Sequence, residues 1–167
     1  MPDLKFSIDI RVPRQQVWEE ITRTGRIQVA MQNTVLESAL VPGAKMRYYS
    51  PDRKRVFVVG EVIEIIPPRR LSHTFKFAWR SEPPTVVTWE LEETPQGCRV
   101  TVAHTGWASQ PGKGTVPEWN QMLATLKSQL ETGDIPLKVK IMYAIAGKLL
   151  FMMPKSTTVE EVQKAGW

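Results

Sequence analysis

The sequence predicts an α+β protein in which one curved antiparallel sheet of seven strands wraps around a long helix near the C-terminus. Residues 115–133 carry apolar side chains at helical spacing, whereas most of the chain before them alternates apolar and polar residues, which is the period of strands. Proline- and glycine-rich turns separate the alternating segments, and nothing between them is long enough to form a crossover helix. The sheet is therefore expected to be antiparallel.

The long helix, residues 115–133, is the clearest element. Its apolar stripe needs a sheet to cover it, and consists of Trp119, Met122, Leu123, Leu126 and Leu130. Thr115 and Glu118 have the spacing of a capping box, which predicts the start of the helix. Gly133 can adopt the left-handed conformation that ends a helix.

The first 33 residues predict one strand and two short helices. Residues 4–11 alternate regularly and form the first strand. Pro13 suits the first turn of a helix whose apolar side is Val17, Trp18 and Ile21, and a second short helix is expected to follow and to end at Met31. Six further strands are predicted at residues 34–40, 44–50, 54–66, 69–79, 85–93 and 98–107.

Length, composition and charge exclude several classes of protein. A chain of 167 residues can bury a core without disulfides, and its single Cys98 has no partner within the chain. No secretory start and no apolar run long enough for a membrane span are visible, so we expect a soluble cytoplasmic protein without an integral span.

The net charge is +5, but the basic clusters 53–55 and 69–70 lie at opposite ends of one predicted strand. We therefore interpret them as solvated turns and predict no nucleic-acid binding.

Three segments resemble a known family. They are VPRQQVWEEIT at residues 12–22, GEVIEIIPPRRLSHTF at residues 60–75 and VTWELEETPQGCRVTVAHTGW at residues 87–107. Together with the order of elements, which is that of the helix-grip fold, they resemble the START-like SRPBCC superfamily, in particular the homologues of the heat-shock-protein-90 ATPase activator. The resemblance covers roughly residues 1–133. It implies an apolar cavity between the sheet and the long helix, which relatives use to bind lipids, polyketides, hormones or other hydrophobic molecules.

Strand parity indicates which residues would line such a cavity. The candidates from the sheet are His73, Phe75, Phe77, Trp89 and His104, and those from the long helix are Trp119, Met122 and Leu126. Large aromatic and methionine side chains suit a concave ligand site. The same side chains could instead pack solidly into an ordinary core, and the sequence leaves both interpretations open.

Catalytic and metal-binding patterns are weak. His73 and His104 share the inward parity and could form an acid/base pair with Glu61, Arg47 or Tyr49, although each could equally be a hydrogen-bonded core histidine. Two histidines and one cysteine lack the spacing of a zinc site. The segment 112–115, GKGT, lacks the first glycine of a phosphate-binding loop. We therefore assign no catalytic residue, no metal and no cofactor.

Residues 134–167 form an extension beyond the predicted domain of residues 1–133. Residues 141–153 are almost wholly apolar, with Ile141, Ile145, Leu149 and Met152 along one stripe of a helix that Pro154 ends. Thr157 and Glu160 are expected to cap a last short helix. Three surfaces could bury the apolar helix: its own domain, a membrane surface, or a second copy that forms a homodimer through residues 137–153.

The sequence as a whole predicts a protein that binds a small hydrophobic molecule beneath the long helix, without established catalysis. One alternative, suggested by the resemblance, is a protein-interaction module of the co-chaperone kind. The other is an enzyme of the polyketide cyclase or dehydratase kind that uses His73 or His104.

Overall fold

The computed structural model describes residues 3–167 and contains one antiparallel sheet with four α-helices. The strands are β1 (Leu4–Ile10), β2 (Ile27–Gln28), β3 (Thr34–Glu37), β4 (Lys45–Tyr49), β5 (Val56–Ile66), β6 (Arg70–Phe77), β7 (Thr85–Thr94) and β8 (Gly97–Thr105). The helices are α1 (Arg14–Ile21), α2 (Thr115–Thr132), α3 (Leu137–Lys148) and α4 (Val159–Lys164), and single 3₁₀ turns lie at Leu150–Met152 and Lys155–Thr157.

The sheet confirms the predicted α+β class but has eight strands, not seven. Its order is β1-β8-β7-β6-β5-β4-β3-β2, and every neighbouring pair is antiparallel. From β2 to β8, strands adjacent in the chain are also adjacent in the sheet. The exception is β1, which crosses over to pair with β8 along its whole length.

The prediction of a second short helix ending at Met31 is wrong, because the edge strand β2 takes its place. The buried side chain of Gln28 donates from Nε2 to the carbonyl oxygens of Ile21, at 3.4 Å, and Arg23, at 2.7 Å. These bonds hold the segment extended against β3. Gln32 and Asn33 then adopt left-handed φ angles of 56° and 58° and make the turn into β3.

α2 buries the predicted stripe but does not use the predicted capping box. Trp119, Leu123 and Leu126 are buried, and Gly133 ends the helix with a left-handed φ of 77°. The N-cap residue is Gly114, and no side chain caps the first turn, because Thr115 already lies inside the helix. The helix packs mainly against β1 on the inner face of the sheet.

The sheet separates two hydrophobic clusters. The large inner cluster lies between the sheet, α1 and α2, and includes Ile10, Leu36, Leu71, Val100 and Leu126. The small outer cluster consists of buried Val56, Val59 and Val162, with Tyr49, Ala78, Val159 and Trp167 packed around them. Both faces of the β4–β5 region are therefore covered.

The C-terminal extension contacts the rest of the chain at several points. Tyr143 on α3 donates from its hydroxyl to the carbonyl oxygen of Val29 at 2.6 Å, and Val139 is buried. α3 is shorter than predicted, because its last turn before Pro154 is 3₁₀. α4 is capped one residue later than predicted, since the Thr158 hydroxyl, and not that of Thr157, accepts the Glu161 N–H. Among residues 3–167, none of the helices combines the length and the hydropathy that a membrane span requires.

Candidate functional site

Two buried histidines lie in one row across the inner face of the sheet. His73 on β6 and His104 on β8 both pair with Val87, which lies between them on β7. Directly paired residues in an antiparallel sheet point to the same face, so the two imidazoles share the inner side. Their exposed fractions are only 3% and 2%. The parity predicted from the sequence thus brings the two candidate histidines together.

His104 is the centre of a directed hydrogen-bond chain. Trp119 on α2 donates from Nε1 to His104 Nδ1 at 3.0 Å. An acceptor Nδ1 places the proton of the neutral ring on Nε2, which lies 2.7 Å from the Thr85 hydroxyl and donates to it. That hydroxyl donates in turn to the carbonyl oxygen of Phe75 at 3.1 Å. Every polar atom of the imidazole is therefore used, and the chain ties α2 to β6, β7 and β8.

Burial keeps both histidines uncharged. Desolvation, with a smaller contribution from the nearby His73, lowers the pKa of His104 to about 4. Desolvation also lowers the pKa of His73, although its bond to the Thr74 carbonyl oxygen opposes the shift. That bond, 2.8 Å from Nδ1, places the proton of His73 on Nδ1. Nε2 of His73 is then an acceptor, and the ring's one hydrogen bond among residues 3–167 is the bond from Nδ1.

The floor of the site beneath α2 is solidly packed. The indole of Trp119 stacks on Phe6, with ring centroids 6.1 Å apart, and meets Trp89 edge to face at 5.7 Å. Trp89 and Leu126 are 3% and 0% exposed. For these candidate residues the structure shows a core arrangement.

The inner face opens beyond this packed floor. Tyr48, Val58 and Phe77 are paired in register across β4, β5 and β6, and all three are half-buried. Phe75 is also half-buried and meets Phe77 edge to face, with centroids 5.0 Å apart. Because α2 lies over the β1 side of the sheet, these side chains present an apolar strip that is only partly covered. We refer to Tyr48, Val58, Phe75 and Phe77 as the aromatic strip.

One end of the aromatic strip is flanked by the β6–β7 turn. Trp79 stacks on Phe77, with centroids 4.7 Å apart, and is 38% exposed. The Arg80 guanidinium lies 5.4 Å from the centre of the Phe77 ring, within cation–π range. Met122 of α2 is half-buried against the inner cluster. The strip therefore has an apolar base and one cationic edge.

The predicted acid/base partners lie elsewhere. Arg47 and Tyr49 bond to each other at 3.1 Å, and Tyr49 packs into the outer cluster. Arg47 also donates to the carbonyl oxygen of Trp167 on that side, and Glu61 is exposed. The hypothesis that one of these residues pairs with His73 or His104 is wrong, because residues of opposite strand parity point to opposite faces.

Two depressions on the surface lie away from the predicted site. Each has a volume of about 280 Å³. One is lined by Ile66, Arg69, Arg70 and Glu90, and the other by Asp9, Ile10, Arg11, Thr94, Gln96, Arg99 and Lys127. Within residues 3–167, no three His, Cys, Asp or Glu side chains are placed to hold a metal ion. The aromatic strip shares no residue with either depression.

Sequence reasoning missed four residues of this site. Thr85 completes the His104 chain, and its parity with Val87 and Trp89 would have identified it. Trp107 donates from Nε1 to the His104 carbonyl oxygen at 2.9 Å, but it lies beyond the end of β8, where alternation gives no signal. Tyr48 and Val58 join the site through pairing registers that a single sequence does not reveal.

A protein-family model matches the chain. The sequence model described as "Activator of Hsp90 ATPase homolog 1-like protein" matches residues 11–131, which is most of the chain. The match agrees with the branch that the sequence motifs resemble. No curated protein matches the chain.

Solved structures share the fold at low sequence identity. Protein MLL2253 from Mesorhizobium loti has a TM-score of 0.65 at 20% identity, over 80% of this chain and 100% of that one. DynU16, a protein of the dynemicin biosynthetic locus, has a TM-score of 0.66 at 24% identity, over 80% of this chain and 48% of its own. The Aha1 dimer from Colwellia psychrerythraea has a TM-score of 0.63 at 17% identity, over 80% and 99%. These likenesses establish the fold alone.

Proposed function

The chain belongs to the family of Activator of Hsp90 ATPase homolog 1-like proteins, and on that premise we propose that it binds a small hydrophobic molecule on the inner face of the sheet, beside α2. The observation that carries the proposal is the half-buried aromatic strip at the inner face. Side chains that lie on the concave face of a sheet and yet remain partly exposed offer apolar area that a ligand would remove from water.

The packed floor favours a ligand position beyond the cover of α2. The His104 chain and the Trp89–Trp119 contact fill the space under the middle of α2. A ligand would therefore rest on Phe75 and Phe77 and extend toward Tyr48. Burial of its phenol raises the pKa of Tyr48, which keeps the hydroxyl protonated and able to donate to a polar group of the ligand.

The test is a binding titration of the full chain with Nile red, a neutral apolar dye. Phe77→Ala should weaken dye binding about tenfold, because truncating a phenyl group removes roughly 1.4 kcal/mol or more of apolar contact. Phe151→Ala is the matched control, since Phe151 is also an apolar aromatic residue but is 76% exposed and lies in the C-terminal extension. Equal affinities of the wild type and Phe77→Ala would contradict the proposal, as would dye binding that only Phe151→Ala removes.

A natural ligand can be sought directly. Native mass spectrometry of the protein purified from its host, followed by organic extraction, should reveal a copurifying apolar molecule. That molecule should be absent from Phe77→Ala prepared in the same way.

A catalytic role is a second candidate, and one observation favours it. His73 lies on the same inner face, and its Nε2 is a free acceptor among residues 3–167, as the base of a cyclase or dehydratase would need to be. For a protein that only binds, His73→Gln should change the dye affinity less than tenfold. Turnover with a bell-shaped pH profile that His73→Gln abolishes would establish the enzyme instead.

The family description supplies the remaining alternative, a co-chaperone-like interaction module. It predicts that the purified chain accelerates ATP hydrolysis by an Hsp90-type ATPase. Such stimulation, unaffected by Phe77→Ala, would favour this alternative over ligand binding.

A further inference from the structure

An apolar stripe on the C-terminal extension faces away from the domain. Six large apolar side chains between positions 137 and 152 are 47–76% exposed: Leu137, Ile141, Ile145, Leu149, Phe151 and Met152. We call these six residues the exposed stripe. The other five exposed large apolar residues are scattered over the rest of the described chain. A contiguous patch of this kind marks an interaction surface.

The orientation of the stripe is held by contacts on the opposite side of the segment. Val139 is buried, and the Tyr143 hydroxyl donates to the Val29 carbonyl oxygen. Gln121 on α2 contacts the Met142 sulfur at 3.6 Å. After the stripe, Arg55 donates from Nη1 to the Pro154 carbonyl oxygen at 3.2 Å. α3 is therefore anchored along its inner side, and turning the stripe inward would break these contacts.

The segment that carries the stripe, residues 135–159, has charged side chains of one sign. Residues 135–159 contain Lys138, Lys140, Lys148 and Lys155 and no Asp or Glu. All four lysines are exposed, and only Lys140 forms an ion pair within the described residues, with Asp134 at 2.7 Å. Exposed apolar side chains can enter the headgroup boundary of a membrane, and unpaired lysines beside them are attracted to anionic lipid.

We propose that the exposed stripe docks the protein onto an anionic lipid surface, with Leu137 and Phe151 entering the headgroup boundary and the lysines contacting lipid headgroups. α3 has 12 residues and is about 18 Å long, which suits a surface helix. A symmetric dimer would place the same stripe against itself and bring the lysines of both copies together. The absence of carboxylates between positions 135 and 159 therefore favours lipid over a second copy.

The experiment is cosedimentation of the full chain with vesicles. Vesicles that contain phosphatidylserine in phosphatidylcholine should retain the protein at 0.1 M salt, and pure phosphatidylcholine should retain much less. Binding should fall at 1 M salt, because the screening length drops from about 10 Å to about 3 Å. Absence of binding to the anionic vesicles, or equal binding to both kinds, would overturn the proposal.

Matched variants locate the binding surface. Phe151→Ser should weaken vesicle binding about tenfold, whereas Val41→Ser, at a residue 53% exposed in a loop, should have no effect. Lys138→Gln and Lys148→Gln should each weaken it about fivefold, unlike Lys113→Gln. These residues are exposed, so the melting temperature should not change. Vesicle binding that is indifferent to Phe151→Ser and Lys148→Gln would overturn the assignment to this stripe.

A second copy gives a different result. If the wild type sediments as a dimer that Ile141→Asp converts to a monomer, the stripe is a subunit interface and the lipid proposal is overturned. Nile red binding at the aromatic strip is independent of this outcome, since the two surfaces share no residue. The lipid proposal can therefore fail while the proposed function stands, and the reverse also holds.

Discussion

At the scale of single residues, His104 shows how a polar side chain can be more important for the core than for chemistry. Its two ring nitrogens accept from Trp119 and donate to Thr85, so both partners would lose a buried hydrogen bond without it. Leaving such groups unpaired costs about 1–3 kcal/mol each. The imidazole thus joins α2 to the sheet in one defined arrangement.

The lowered pKa of His104 predicts a pH-dependent stability. Because the pKa is about 4 in the folded chain and near 6.5 when unfolded, the unfolded chain gains a proton first as the pH falls. The contribution of neutral His104 to the free energy of unfolding is fully present above pH 6.5 and is lost as the pH falls to about 4. The loss over this range is about 3 kcal/mol. Urea unfolding of the wild type and of His104→Gln should therefore converge in this range.

Comparison of the wild type with His104→Gln separates the effect of His104 on stability from that of the other titrating groups. His73 and the carboxylates titrate in both proteins, so only the difference between the two unfolding free energies is diagnostic. If the difference between the two unfolding free energies stays constant from pH 7 to pH 4, folding does not lower the pKa of His104, and the folded protein carries a charged imidazole at pH 4.

At the scale of elements, strand β5 depends on a close approach at Gly60. A Cβ atom at this position would overlap the Thr74 carbonyl oxygen on β6 and lie 2.9 Å from its carbon. Both contacts are with backbone, which cannot rotate away as a side chain can. The glycine therefore permits β5 and β6 to approach at the place where β5 also pairs with β4.

Gly60→Ala should therefore destabilise the protein by about 1–3 kcal/mol or more, because the backbone has to shift to relieve the overlap. The matched control is Gly147→Ala on α3, where a Cβ would meet nothing within 4 Å. That change should be neutral or stabilising by roughly 0.5–1 kcal/mol, because alanine favours a helix. Thermal and urea unfolding measure both, and equal effects of the two variants would refute the close-approach argument.

At the scale of the whole molecule, arginines of the predicted basic turns form contacts within the fold. Arg53 pairs with Glu37 at 2.8 Å, and Arg70 bonds to Glu64 and Glu90. Arg55 holds the C-terminal extension through Pro154 and Thr157. These contacts give the predicted basic turns a structural use, and the absence of nucleic-acid binding stays a prediction.

The division of the chain at residue 133 also stays a prediction, which truncation can test. Removal of residues 134–167 leaves the sheet and α2 intact but uncovers Val56 and Val59 in the outer cluster. The shortened chain should keep the strand contribution to its far-ultraviolet circular dichroism and lose the helical signal of α3 and α4. It should also melt at a lower temperature and aggregate more readily. Unchanged melting and solubility would show that the extension adds nothing to the stability of the domain.

A point substitution in the outer cluster tests the effect of packing on stability without shortening the chain. Val162→Ala removes apolar contacts in the outer cluster and should cost about 2 kcal/mol. Gln163→Ala, at the next and exposed position, should change the free energy of unfolding by less than about 0.5 kcal/mol.

The sequence by itself determined the class of fold, the position of α2 and the inward parity of His73 and His104. These features follow from local periodicity, since a side chain's face is set by its place in a strand or helix. It also identified the family branch that the comparison confirmed, through residues 12–22, 60–75 and 87–107.

Only the tertiary structure decided which of the inward side chains are buried and which remain partly exposed. Trp89 and Trp119 became packed floor, whereas Phe75 and Phe77 stayed half-exposed, because α2 lies over the β1 side of the sheet. The edge strand β2 and the outward orientation of the exposed stripe were likewise set by contacts between distant residues, such as Tyr143 with Val29. Periodicity indicates that a face is apolar, but what covers that face depends on pairing and packing between segments far apart in the chain.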